Sequence, residues 1–234
     1  MSPTISVIMP AFNAAQHIRQ SIQSVLAQTF DDWDLIVVDD GSTDETAIVA
    51  GSFSDPRIHC VGRENGGQAA ARNTGIVSTD GEFLAFLDAD DLWHPEKLSR
   101  QTARFAARPE LSCCVTHVQN FWIPELRAEA EQFREHRISK PLPGYVTSTL
   151  LVRREFFDAV GAFNAGMHHA DDTEWFLRAE ERGGAMELLP DVLLYRRLHV
   201  SNLSRVRASQ SREQYLEVVK AALDRRRENK PVPR

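Results

Sequence analysis

Phe83-Leu84-Ala85-Phe86-Leu87-Asp88-Ala89-Asp90-Asp91 is an apolar run that breaks into three carboxylates within four positions. An unbroken apolar strand belongs in a sheet covered on both faces, and in such sheets ligands gather where the strands end. Carboxylates this close repel one another and raise each other's pKa values unless a cation or a basic partner relieves them. Mg²⁺ and Mn²⁺ do so while keeping water and phosphate oxygens as their other ligands. The strand end is therefore either a metal-diphosphate site or an Asp-rich turn that caps the next helix.

Working outward, the same strand-then-polar pattern recurs upstream. Ile5 to Met9 is a predicted strand followed by Pro10-Ala11-Phe12-Asn13, with Asn13 a helix cap before Ile18, Ile22, Val25 and Leu26 at helical spacing. Leu35 to Val38 runs into Asp39-Asp40-Gly41-Ser42-Thr43-Asp44, with Thr43 capping a helix over about 45–52. Ile58 to Val61 is a third strand, and Gly66-Gly67 opens a helix through about Ile76. This β-α-β-α rhythm predicts a parallel sheet flanked by helices, with the polar strand ends sharing one crevice.

Downstream, Pro95 suits the first turn of a helix that runs to about Ala107. Beyond Pro109 the expectation is a strand over about 112–121 and an exposed segment 124–143. A strand over 147–152 and a helix 154–160 capped by Gly161 come next. A helix 172–182 stopped by Gly183-Gly184, extended chain over 192–198 and a terminal helix 209–227 complete the pattern. No Gly/Ser/Pro-rich linker divides the chain, so one domain is expected.

The formal charge of -6 over 234 residues argues against a general nucleic-acid binder, which carries a basic surplus. Any phosphate site must be local. No apolar run approaches the roughly 20 residues of a membrane span, and Met1-Ser2-Pro3-Thr4 is no leader, so the expected location is cytoplasmic. Arg225-Arg226-Arg227 reads as a solvated helix end favoured by the dipole, with a peripheral membrane contact or packing against another subunit as the alternatives. Three cysteines, with Cys113 and Cys114 adjacent, form neither a disulfide framework nor a zinc spacing.

Taken in order, Val7 to Asn13, Val37 to Asp44, Asn65-Gly66-Gly67 with Ala71-Arg72-Asn73, Phe86 to Asp91, Asp171-Asp172 and His199 resemble the blocks of the family 2 glycosyltransferases. The resemblance implies the GT-A fold, an α/β Rossmann-like, mostly parallel sheet flanked by helices. It covers roughly Pro3 to Ser204 and implies a domain over 1–204, with a nucleotide-binding half over about 1–108 and an acceptor half over about 109–204. The segment 124–143, outside the shared blocks, is expected to help shape the acceptor site, and a helix and basic tail follow over 205–234. The resemblance further implies an inverting transfer of a sugar from a nucleoside-diphosphate donor, a UDP-sugar first, to an acceptor hydroxyl. The acceptor class stays open between glycan, lipid-linked sugar, small molecule and peptide. Membrane-bound processive synthases of similar sequence carry a Gln-x-x-Arg-Trp motif that is missing here, so transfer of a single sugar is expected.

Within that resemblance each block takes a role. Pro10, Ala11, Phe12 and Asn13 border the donor, and Asp40, or alternatively Asp39, accepts from the imide N–H of the base. Gly67 lets backbone approach the ligand, and Arg72 brings a guanidinium to the diphosphate. Asp88, Ala89 and Asp90 form the metal-ribose segment. Asp90, Asp88 and His199 are the ligands of Mn²⁺ or Mg²⁺, and Asp91 caps or braces the loop. Asp172 is the base with Asp171 its neighbour, although Asp stands at the first place where the family has Glu. His168 and His169 are adjacent polar candidates, and only one of Arg196 and Arg197 can face the diphosphate from a strand. The competing assignments are a silent nucleotide-sugar-binding module and a sugar nucleotidyltransferase. The second would need a Gly-rich basic loop where Pro10-Ala11-Phe12-Asn13 stands.

Overall fold

Alternation along the first strand shows how the sheet is sandwiched. In β1 (Ile5–Ala11), Ile5, Val7 and Met9 join one apolar cluster while Ile8 joins another on the opposite face, and every residue of the strand is buried. The computed structural model describes residues 4–167, 169–206 and 208–228. Helix α1 (Ile18–Leu26) buries Ile18, Ser21, Ile22 and Val25, the helical spacing expected from the sequence. Strand β2 (Trp33–Asp39), helix α2 (Thr46–Gly51), strand β3 (Ile58–Gly62), helix α3 (Gln68–Val77) and strand β4 (Phe83–Phe86) follow. Strand β1 pairs in parallel with both β2 and β4, and β2 pairs in parallel with β3. The carboxyl ends of these strands point to one edge, as the sequence predicts.

The second half is built differently. Strand β5 (Leu92–Trp93), helix α4 (Lys97–Ala107) and the long β6 (Leu111–Trp122) lead into a segment of short pieces: α5 (Arg127–Gln132) between two single 3-10 turns, then β7 (Leu142–Pro143). Strand β8 (Leu151–Arg153), α6 (Arg154–Val160), α7 (Asp171–Glu181), β9 (Ala185–Leu198), α8 (Leu203–Val206) and α9 (Ala208–Glu228) complete the order. Across the sheet the strands run β3-β2-β1-β4-β8-β6-β9-β5, with β7 paired to β6. Strand β8 is antiparallel to both β4 and β6, whereas β9 runs parallel to β6 through several register shifts. The sheet is thus parallel through the donor half and mixed beyond it, one α/β layer curling between helices.

Local details differ from the sequence expectation. Strand β1 continues to Ala11, because the Asp40 amide donates to the Ala11 carbonyl at 2.8 Å and extends the pairing with β2. Asn13 is not a helix cap: it adopts a left-handed φ of 49°, and its Oδ1 accepts from the Thr43 amide at 2.9 Å, sewing the β1 loop to the β2 loop. Asp44 rather than Thr43 serves α2, accepting from the Thr46 amide at 2.9 Å. Thr147–Thr149 forms a 3-10 turn instead of strand, held by the Thr149 hydroxyl donating to the Gly144 and Val146 carbonyls. Gly161 does end α6, with φ 95°. Gly75 is required where α3 lies on β1, since a Cβ there would sit 2.5 Å from Ile8 Cγ2.

Candidate active site

At the carboxyl edge of the sheet lies a cleft of about 310 Å³. On one wall it is lined by Asp88, Asp90 and Asp91 from the end of β4, and on the other by His169 to Thr173 at the start of α7. Gln68, Arg72, Val146–Ser148, Arg196, Asn202, Leu203 and Tyr215 fill the remainder. The 124–143 segment, expected to shape the acceptor side, contributes nothing to the lining. It reaches the region indirectly, through an ion pair between Glu129 and Arg205 of α8.

Arg72 joins the two walls. Its side chain is buried, with Nη2 2.8 Å from Asp88 Oδ1 and Nη1 2.6 Å from Asp171 Oδ2. Both ends of the fork expected to meet a diphosphate are therefore held by carboxylates. Gln68 Nε2 donates to the same Asp88 oxygen at 2.8 Å, and the Asp88 amide donates to Ser148 Oγ at 3.1 Å. Asn73 acts as a brace, exchanging two hydrogen bonds with the Phe163 backbone.

The other two carboxylates of the strand end separate by environment. Asp90 Oδ2 lies 2.9 Å from His199 Nε2 and accepts from Asn202 Nδ2 at 3.3 Å. Burial works against its ionisation, but the His199 hydrogen bond and charge prevail and hold Asp90 below the usual carboxylate range. Asp91 is buried and accepts from the Arg197 amide at 2.9 Å. Burial, then the charges of Asp90 and Asp88, push its carboxyl well above the usual range. Asp91 therefore braces β9 and is not the cap of α4. Ala89 is buried, its carbonyl accepting from Ser21 Oγ at 2.8 Å.

His199 lies behind Asp90, its ring 4.7 Å from that of His17 and its Nδ1 2.8 Å from Ser201 Oγ. Asn202 Oδ1 accepts from the His199 amide at 2.7 Å, so one amide side chain fixes both Asp90 and His199. Strand alternation sends Arg196 into the cleft, whereas Arg197 turns away to the Asp90 carbonyl and Gln20. The roles of Asn202, Gln68 and Ser148 escape a reading of charge patterns, because none is ionisable. Asn202 carries the strongest signal of the three, following the His199 block by three residues.

On the opposite wall, Ala170 takes a left-handed φ of 57° and starts α7, which places Asp171 and Asp172 in its first turn. Asp171 is committed to Arg72. Asp172 is half-buried, accepts from the Thr173 amide at 2.6 Å, and is pushed up to about 6 by burial and by the adjacent Asp171 charge. His169 is buried, and its amide donates to Gln214 of α9 at 2.9 Å. His168 lies outside the described residues.

The donor-side residues stand at the same sheet edge but outside the cleft lining. Pro10 and Ala11 are buried strand residues, while Phe12 is 51% exposed. Asp40 is buried, and its carboxylate accepts from Arg63 Nη1 at 2.6 Å, from the Gly66 amide at 3.1 Å and from the Gly67 amide at 2.7 Å. Gly67 meets that carboxylate at φ 88°, a conformation that strains any side-chain-bearing residue. Asp39 is less encumbered, accepting only a long 3.4 Å contact from the Ser42 amide.

Among the described residues, no three His, Cys, Asp or Glu side chains converge as a metal cage. No described helix is long and apolar enough to cross a membrane.

Known proteins resemble this chain in sequence and in fold. The family model described as "Glycosyl transferase family 2" matches residues 6–173. A UDP-Glc:alpha-D-GlcNAc-diphosphoundecaprenol beta-1,3-glucosyltransferase, WfgD, of Escherichia coli is 47% identical over 98 residues, covering 42% of this chain and 39% of that protein. A putative teichuronic acid biosynthesis glycosyltransferase, TuaG, of Bacillus subtilis is 43% identical over 102 residues, 42% of this chain and 40% of that protein. The matched stretch thus spans about two fifths of each relative's length. Among solved structures, S. aureus TarS 1-349 in complex with UDP-GlcNAc superposes with a TM-score of 0.74 at 20% identity, covering 95% of this chain and 65% of that one. The mannosyltransferase PcManGT from Pyrobaculum calidifontis, in complex with GDP-Man and Mn²⁺, gives 0.69 at 21% identity, covering all of this chain and 66% of that one. Identities this low speak for the fold alone, which is GT-A.

Proposed function

The chain belongs to glycosyl transferase family 2, and from that premise we propose that it moves a single sugar from a nucleoside-diphosphate donor, a UDP-sugar first, to an acceptor hydroxyl with inversion. The observation that carries this is one cleft with two carboxylate walls: Asp88 and Asp90 at the end of β4, and Asp172 at the start of α7. Inversion by direct displacement needs one base facing one leaving group and no covalent nucleophile.

Asp172 is the base. A carboxylate raised to about 6 is ionised at neutral pH yet holds a proton better than an ordinary one. Asp171, neutralised by Arg72, cannot share that task and instead keeps α7 registered on the donor half. At the donor end, Asp39 is the acceptor for the imide of the base. Asp40 supports it by holding the Gly66-Gly67 amides in place. Phe12, exposed just past β1, offers a flat apolar face beside them.

Asp90 Oδ2 and His199 Nε2 are a donor set suited to Mn²⁺ or Mg²⁺, ions that take few protein ligands and leave room for phosphate oxygens. Such an ion, when bound, stabilises charge on the departing diphosphate. Asn202 holds both side chains in register, and Arg196 adds positive charge to the same wall. Asp88, engaged by Arg72 and Gln68, fits ribose contact better than direct coordination. The nucleotide half extends over about residues 1–108 and the acceptor half over about 109–204. The location proposed for the protein is the cytoplasm.

A panel of UDP-sugars with Mn²⁺, read as UDP release, tests the reading. A sugar-dependent release that falls in Asp90→Ala supports it. UDP binding without release from any donor, across a broad acceptor pool, makes the protein a silent binding module.

A further inference from the structure

The solvent side of α9 is divided by charge. At about 100° per residue, Arg212, Leu216, Lys220, Leu223 and Arg227 share one sector of about 80°, and all five are exposed. Glu213, Glu217 and Asp224 occupy the sector beside it, with Arg227 reaching across to Asp224 at 3.4 Å. On the opposite side, Val218 and Ala222 are buried against the body of the protein. Of the basic triplet noted in the sequence, Arg227 belongs to the stripe while Arg225 turns inward to Glu181 of α7 at 3.1 Å.

Exposed apolar side chains are concentrated in the same last segment of the chain. Ten large hydrophobic side chains are exposed among the described residues, and six of them lie on the last segment: Val200, Leu203, Val206, Tyr215, Leu216 and Leu223. Leu203 and Tyr215 of that segment also line the cleft. The hydrogen bond from His169 to Gln214 fixes α9 to that rim.

Cations alternating with leucines are poorly suited to the dry centre of a protein interface, where Lys is depleted and charge is costly. They suit a lipid surface, where leucines enter the headgroup boundary and Lys and Arg stems lie along it with their heads on phosphate. We propose that this face of α9 docks on an anionic phospholipid membrane and holds the mouth of the cleft against it. The proposal goes beyond the transferase reading, and vesicle binding is measured without donor or turnover, so either can fail without the other.

The test is cosedimentation of the full chain with phosphatidylcholine vesicles made with and without phosphatidylglycerol, at low and high salt. The expected result is binding to the anionic vesicles only, weakened by salt. Replacing Arg212, Lys220 and Arg227 together by Gln should lower partitioning by about a hundredfold, each cation near the surface counting for about fivefold. Leu216→Ser with Leu223→Ser should also lower it, with UDP affinity and circular dichroism unchanged in both variants. Three results would overturn the proposal: folded wild type that ignores anionic vesicles, binding that neither variant weakens, or a lipid-free dimer that the leucine pair abolishes. The last would assign the face to a second copy of the chain.

Discussion

Arg72 and Asp171 lie 99 positions apart in sequence and 2.6 Å apart in space, and the same guanidinium reaches Asp88 at 2.8 Å. One buried cation thus fixes the distance between the proposed leaving-group wall and the proposed base wall. Removing it should leave two carboxylates partly buried without a counter-charge. Arg72→Met is expected to cost about 3 kcal/mol of stability, read from the urea midpoint. Arg72→Lys should recover only part of it, since an ammonium cannot fork to both partners.

The carboxyl of Asp172 makes two pH predictions of opposite sense. As a base it must be ionised, so turnover should rise with pH through about 6. For stability the sign reverses. A folded pKa raised from 3.8 to about 6 favours the native state below about pH 4, and that contribution is lost as pH rises through about 6. The rise corresponds to about 3 kcal/mol. Asp172→Asn, which keeps an oxygen for the Thr173 amide, should therefore melt higher than wild type at pH 8 and close to wild type at pH 4.

Adjacent aspartates at the end of β2 should respond differently to the same change. Asp40→Ala strands two backbone amides and Arg63, and should destabilise the fold by about 2–4 kcal/mol. Asp39→Ala breaks one long contact and should change stability by less than about 1 kcal/mol. Calorimetry with UDP provides the second readout: Asp39→Ala should weaken UDP binding at nearly unchanged stability. Full UDP affinity in that variant would return the base contact to another residue.

Chelation is expected to abolish UDP release, and added Mn²⁺ or Mg²⁺ to restore it. Asn202→Ala, which frees both Asp90 and His199, should raise the Mn²⁺ concentration needed for half-maximal release by about tenfold or more, as loss of ligand-orienting groups does. Release that persists in EDTA would remove the divalent ion from the account.

The first half was legible because β1, β2 and β4 are mostly apolar and end in turn-forming or acidic residues, a pattern set by burial on both faces. Beyond Pro109 that regularity fails. Thr147-Ser148-Thr149 has the composition of a strand, yet the Thr149 hydroxyl finds carbonyls at Gly144 and Val146 and draws the chain into a 3-10 turn. Alternation says that Asp39 and Asp40 face opposite ways but not which one turns inward. That is decided by the Gly66 and Gly67 amides, 26 and 27 residues downstream. The family resemblance assigns Arg72 to the diphosphate, while its two carboxylate partners lie in different halves, Asp88 at the end of β4 and Asp171 at the start of α7, a pairing that local sequence does not encode. Tyr215 of α9 lines the cleft and Gln214 accepts from the His169 amide at its rim, both beyond the last residue of the family match.

Central to this account is a base at Asp172 facing a diphosphate held near Asp90. The most direct measurement is UDP release from the preferred UDP-sugar by Asp172→Asn beside UDP binding by the same variant. The account predicts binding within about twofold of wild type and release lower by about a hundredfold or more, the scale of a lost general base. Release at the wild-type rate, with folding and UDP binding intact, would contradict it.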